Sequence, residues 1–335
     1  MSRPAWLRRV GVVLLVLLAG ELLARMTIPP PDVPAFEASM DGKDLRLIPG
    51  VSGRAHMYGR TIGISIDAQG HRATVGAPDE TSARHRLDLI GDSQIFGWGL
   101  SDSETVASRM QARLGADWLV VNHGIPGIGP LQYAHILESV PKDAEVLIVF
   151  TELNDLWDTY GVSSHVSRCG FLSSAAWPPS RLICPILNLR TVQLGFLAYT
   201  NMMRRRALAP IGFHPSSGVA AQILAQRVRS MFVKEGLRVH PHMHFAVLPW
   251  DGRFNAQSRQ DYFPAANPDA PRYFDDDYDL ISAFARAADP PGLFLPGDPH
   301  LSARGAAFCA DLIAPYIEAL SRTGTASLPR LHTQQ

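Results

Sequence analysis

The stretch LDLIGDSQIFGWGL, residues 87–100, decides how the rest of the chain is read. Leu87–Ile90 has the length and apolar character of a buried strand, and it runs directly into Gly91-Asp92-Ser93. Such a junction is either a turn that closes a strand or a serine held at the carboxyl edge of a sheet. The glycines on either side of Trp98 let the chain bend before a helix that opens near Glu104.

Outward from this point, short apolar runs recur: Asp117–Asn122, Ala144–Phe150, His244–Pro249 and Gly292–Leu295. Helical apolar spacing separates them, over Glu104–Leu114 and Gly218–Glu235, and it follows the last over Ala303–Leu320. Strands alternating with helices predict a three-layer α/β/α sandwich around a parallel sheet of about five strands. In such sheets ligands collect beyond the carboxyl ends of the strands.

The 335 residues carry 31 basic and 31 acidic side chains, so no charge excess points to nucleic acid. Arg204-Arg205-Arg206 is too short a cluster to change that and reads as a solvated helix end. Residues 1–26 hold Arg8 and Arg9 ahead of an apolar run and read as an N-terminal export signal or anchor. The run is shorter than a full span and lacks a clear cleavage site, so an uncleaved anchor and a cleaved signal both stay open. Either way the arginines remain inside and the body of the protein lies outside the cytoplasm: in the periplasm at the cell envelope, held to the inner membrane, if the anchor is kept, or secreted if the signal is cleaved.

Residues 27–44 form a Pro-rich tether, and 45–86 a small β-rich segment and linker in which Arg60–Asp67 alternates. The main domain spans 87–322, with an insertion at about 160–216 that could lie over a site, and 323–335 is a tail. An oxidising compartment would permit a bridge between Cys169 and Cys184, whereas Cys309 reads as a buried core residue.

The strand ends carry the chemistry. The first delivers Ser93, the second Asn122 through Gly127, the third Glu152-Leu153-Asn154-Asp155, and the last Asp298-Pro299-His300. A serine hydroxyl needs a neighbouring base, which His300 can be; a carboxylate must fix the imidazole, which Asp298 can do. A developing oxyanion needs preorganised donors, and the backbone N–H groups of Ser93 and Gly127 with the Asn154 amide supply three.

In this order Gly-Asp-Ser, Asn-x-x-x-x-Gly, x-x-Asn-Asp and Asp-x-His resemble the SGNH/GDSL hydrolases from about Leu87 to Leu320. Ile64–Arg72, ahead of the first strand, resembles exported, membrane-tethered bacterial members of that family. The resemblance implies a serine esterase that needs no metal or organic cofactor. Ser93, Asp298 and His300 would be its catalytic residues, and Ser93, Gly127 and Asn154 its oxyanion hole. Two positions depart from the family pattern. Glu152 stands where a glycine usually opens the third block, and Gly297 occupies the place, three before the histidine, where many members carry the acid. The implied substrates are acyl esters, including acylated envelope glycans. An O-acyltransferase using the same residues, or a silent module that binds glycan or a partner, remain the alternatives.

Other residues carry weaker signals. His123 and Trp157 follow strand ends and are candidate substrate contacts, although packing suits His123 as well. Asp92 should turn away from the nucleophile and hydrogen-bond its own loop, and Asp155 suits a helix N-cap. Phe96 and Trp98 read as core. His240, His242 and His244 alternate at a strand entry and read as a solvated strand start rather than a metal site, and Asp275–Asp277 suits a helix N-terminus.

Overall fold

A computed structural model describes residues 5–27, 36–38, 45–151, 155, 165–167, 172–174, 186, 189, 191–192, 195, 240, 242–249 and 278–323. Among the positions singled out above, Glu152, Asn154, Trp157, Cys169, Cys184, Arg204–Arg206, the 218–235 helix and Asp275–Asp277 lie outside the described residues, as do most of the tether, of the insertion and of the tail.

The centre is a parallel sheet. Its strands are β5 (His85–Ile90), β6 (Trp118–Asn122), β7 (Glu145–Thr151), β10 (Met243–Leu248) and the two-residue β11 (Tyr278–Asp279). They lie in the order β11-β10-β7-β5-β6. Three short antiparallel pairs accompany it: β1 (Phe36–Ala38) with β2 (Leu45–Leu47), β3 (Ser52–Met57) with β4 (Arg60–Ser65), and β8 (His165–Ser167) with β9 (Leu172–Ser174). The helices whose whole span is described are α1 (Ala5–Thr27), α2 (Ser93–Phe96), α3 (Val106–Leu114), α4 (Pro130–Ser139), α5 (Leu280–Arg286) and α6 (Ala303–Thr323).

Alternation along the strands builds two cores. In β7, Val146, Ile148 and Phe150 face one layer, where they meet Tyr133 and Leu137 of α4 and Ala55, Ile62 and Ile64 of the β3–β4 hairpin. Leu147 and Val149 face the other, with Met110 of α3, Phe284 of α5 and Ile313 of α6. Both faces of the sheet are therefore covered, which is why its middle strand β7 is a continuous apolar run from Val146 to Phe150. The crossover from β5 to β6 runs through α3 on one face, and that from β6 to β7 through α4 on the other. This reversal around β5 opens a crevice above its carboxyl end, where Ser93 begins α2.

One expected strand is corrected. Leu293, Phe294 and Leu295 are buried, but Pro291–Leu293 is a 3-10 turn and Phe294 bridges only to Leu301. Pro290 and Pro291 have no N–H to offer a ladder, and Leu295 instead donates to the His300 carbonyl at 2.7 Å. The fifth strand is β11, further back in the chain. Helix α4, unread in the sequence, carries its buried Pro130, Tyr133, Ala134 and Leu137 at helical spacing and starts with proline at its first turn.

The β3–β4 hairpin is bound to the loop between α2 and α3. Arg60 Nη2 donates to both oxygens of Glu104 at 2.6 and 2.7 Å. Buried Arg72 donates to Asp102 at 2.7 Å and the Leu100 carbonyl at 2.8 Å, with its guanidinium 4.7 Å above the Phe96 ring. Helix α1 exposes Leu and Val on every side, Leu15 by 68% and Leu18 by 67%. No helix among the described residues is long and apolar enough to cross a membrane.

Candidate active site

The turn that holds Ser93 is built by glycines and one carboxylate. Asp92 accepts from the Gln94 N–H at 2.8 Å and from the Thr151 hydroxyl at 3.0 Å, so it caps the turn and ties it to the end of β7. It thus hydrogen-bonds its own loop, as expected from the sequence. Gly97 and Gly99 both take positive φ, 83° and 80°. Side chains are excluded there on space as well: a Cβ on Gly97 would stand 2.7 Å from Thr105, and one on Gly99 2.6 Å from Leu295. Beneath the turn, Asn122 donates to the Ile95 carbonyl at 2.9 Å, and Gly124 approaches so closely that a Cβ would lie 2.1 Å from the Phe96 nitrogen.

Ser93, His300 and Asp298 are brought into one hydrogen-bonded line. His300 Nδ1 lies 2.5 Å from Asp298 Oδ1, and His300 Nε2 lies 2.7 Å from Ser93 Oγ. Because ionised Asp298 can only accept, Nδ1 carries the ring proton and Nε2 is left to accept from the serine hydroxyl. The side chain of Asp298 is buried and that of His300 nearly so. Burial alone would raise the Asp298 carboxyl. The His300 ring, the Tyr58 hydroxyl and the His300 N–H outweigh it and hold the carboxyl at about 2. Trp98 sits beside this line, its ring centroid 6.3 Å from that of His300, whereas Phe96 is wholly core.

Two contributors escaped the sequence reading. Gln94, directly after the serine, donates through Nε2 to the Pro299 carbonyl at 2.9 Å and accepts through Oε1 from the Leu301 N–H at 2.9 Å. One buried amide thus grips the backbone on both sides of His300. Tyr58, at the tip of the β3–β4 hairpin, donates to Asp298 Oδ2 at 2.7 Å. The signal for Gln94 was a polar residue at a position that should be buried. Tyr58 sits in a tight two-residue turn where an aromatic is out of place.

Of the expected oxyanion donors, Ser93 opens α2, where a backbone N–H has no intrahelical partner. Gly127 follows β6 with a φ of 79°, a conformation that favours glycine. Asn154 lies outside the described residues. The Asp155 carboxylate accepts from the Tyr133 hydroxyl at 2.8 Å and from the Thr151 N–H at 2.7 Å; the turn it was expected to cap lies outside the described residues. His123, expected near substrate, is buried with Nε2 2.6 Å from Asp88 Oδ1 and its ring edge-on to His71 at 4.3 Å. Burial lowers its pKa against the pull of Asp88, so its neutral form is favoured. The reason is register: Asp88 points to the α4 layer, and the carboxylate needs a partner there besides Arg86.

His244 is held by Glu145 at 3.0 Å and Tyr316 at 3.1 Å, and His240 by the Pro141 carbonyl at 2.7 Å. Among the described residues no group of three His, Cys, Asp or Glu is placed to hold a metal. Cys309 is buried and unpaired, and burial pushes its thiol up.

No protein-family model and no curated protein matches the chain. Solved structures similar to it include a lipase/acylhydrolase from Enterococcus faecalis, 14% identical over 70% of this chain and 96% of that one, with a TM-score of 0.39. TesA is 14% identical over 70% and 99%, with a TM-score of 0.35. A carbohydrate acetylesterase family member from Sinorhizobium meliloti is 13% identical over 70% and 98%, with a TM-score of 0.33.

Proposed function

We propose that the chain is a serine-dependent hydrolase of O-acyl esters of the SGNH/GDSL kind. The observation that carries this reading is the unbroken line Ser93 Oγ–His300 Nε2 and His300 Nδ1–Asp298 at the carboxyl edge of the sheet. Ser93 attacks the ester carbonyl while His300 takes its proton, and Asp298 stabilises the imidazolium that forms. The N–H groups of Ser93 and Gly127, with the Asn154 amide, receive the oxyanion. The tetrahedral adduct collapses to an acyl-enzyme as His300 returns the proton to the leaving alcohol. Water, activated by the same imidazole, then releases the acid. An acceptor alcohol in place of that water would make the enzyme a transferase.

The exposed apolar surface of α1, following Arg8 and Arg9, supports export and attachment to a membrane, with the α/β body at the cell envelope outside the cytoplasm. Acylated glycans are the ester class such a location offers. Fluorophosphonate labelling of the wild type beside Ser93→Ala and His300→Ala tests the reading. Labelling lost in both variants supports a competent serine. A folded wild type that stays unlabelled counts against it and favours the silent binding module.

A further inference from the structure

We propose that Tyr58 is a positioning residue of this site, holding the second oxygen of Asp298 so that the first faces His300. The inference rests on the reading of Ser93, His300 and Asp298 given above, and it makes the upstream hairpin a working part of the active site rather than a spacer before it.

Three observations carry it. First, the Asp298 carboxylate has a donor at each oxygen: Oδ1 receives the ring and backbone N–H groups of His300, and Oδ2 receives the Tyr58 hydroxyl at 2.7 Å. A carboxylate held at both ends cannot swing away from the imidazole.

Second, Tyr58 occupies a backbone conformation that tyrosine disfavours. Met57 pairs with Arg60, leaving Tyr58-Gly59 as a two-residue hairpin loop with φ of 52° and 75°. Both central residues of such a turn need positive φ, and Asn, Asp or Gly adopt it most easily. Tyr58 is the one non-glycine with positive φ among the described residues. Strain of this kind persists where the side chain is needed.

Third, the surroundings are shaped for the ring. A Cβ on Gly99 would lie 2.8 Å from the Tyr58 ring, so glycine there leaves its space open. Arg60, two residues on, fixes the hairpin to Glu104 with its two hydrogen bonds.

The test is Tyr58→Phe in the full chain, which keeps the ring and removes only the hydroxyl. The His300 Nδ1 proton, identified as the low-field proton resonance that disappears in His300→Gln, should shift, because charge that Asp298 shared with the hydroxyl is drawn more strongly to the imidazole N–H. Fluorophosphonate labelling of Ser93 should slow about tenfold, the lower end of what a hydrogen bond to a charged group is worth. With a chromogenic ester the loss should fall in kcat while KM holds. A resonance that does not move overturns the proposal, whatever the rate does. The resonance needs no substrate, so a chain that hydrolyses no ester refutes the functional reading while this assignment is still decided separately.

Discussion

Replacing Gln94 with methionine removes both grips on the His300 loop while keeping the length of the side chain. The wild-type amide donates to the Pro299 carbonyl and accepts from the Leu301 N–H, each at 2.9 Å, and is itself 1% exposed. A typical hydrogen bond contributes about 1 kcal/mol net, and a buried partner left unmatched costs about 1–3 kcal/mol. Two such losses place the penalty at about 2–6 kcal/mol if the loop stays where it is. The loop can relieve much of that by moving toward water, and His300 would move with it. A displacement of about 1 Å at a reacting group costs on the order of a hundredfold in rate. Gln94→Met should therefore lower kcat/KM on a chromogenic ester about a hundredfold, chiefly through kcat, with a modest fall in Tm. Gln94→Glu keeps the acceptor for Leu301 but sets a carboxylate against the Pro299 carbonyl, and should be similarly impaired at neutral pH. Wild-type kcat/KM in a folded Gln94→Met would refute the reasoning and reduce Gln94 to a packing residue.

Asp298 has a folded pKa of about 2, below the 3.8 of an unperturbed aspartate, so it stabilises the fold at pH above about 4 and that contribution drains away as pH falls toward 2. Its size is about 2 kcal/mol, and urea unfolding of Asp298→Asn should show a deficit of that order at pH 7 that shrinks on acidification; a deficit independent of pH would contradict it. Gly124→Ala drives a methyl into the backbone of Phe96, 2.1 Å from its nitrogen, and should shift α2 enough to abolish fluorophosphonate labelling. Gly63→Ala, which meets nothing within 4 Å, should leave labelling unchanged, and equal labelling of the two variants would sink the argument.

What the sequence made legible was governed by local chemistry. Strands β5, β7 and β10 stood out because residues on both of their faces are buried, and β6 because Leu119 and Val121 on its half-buried face are apolar too. Ser93, Asp298 and His300 were legible because each follows an apolar run and their chemistry is specific. The Gly292–Leu295 run failed the same test because buried apolar residues can pack without pairing, and only Pro290-Pro291 hinted that the ladder was closed to them. Tyr58 was not legible at all. Its role depends on a contact across 240 positions, which no periodicity encodes.

The spacing Asp298-Pro299-His300, two rather than three, has a physical account in the same loop. One oxygen of Asp298 accepts from both the backbone N–H and the ring N–H of His300, at 3.1 and 2.5 Å. A single carboxylate oxygen therefore sets the loop and the imidazole together, as a side chain closing a turn on the residue two positions on can do. Pro299 has no N–H to compete for that oxygen, and its carbonyl is taken by Gln94. Gly297, three positions before the histidine, has a φ of 71°. An aspartate there would have to hold that left-handed conformation as well as reach the histidine. Glycine at 297 makes the turn that brings Asp298 into line, so moving the acid one position back, as Gly297→Asp with Asp298→Ala, should not restore activity. Recovery of wild-type kcat in that double variant would show that the position of the acid, rather than the turn, is free to vary.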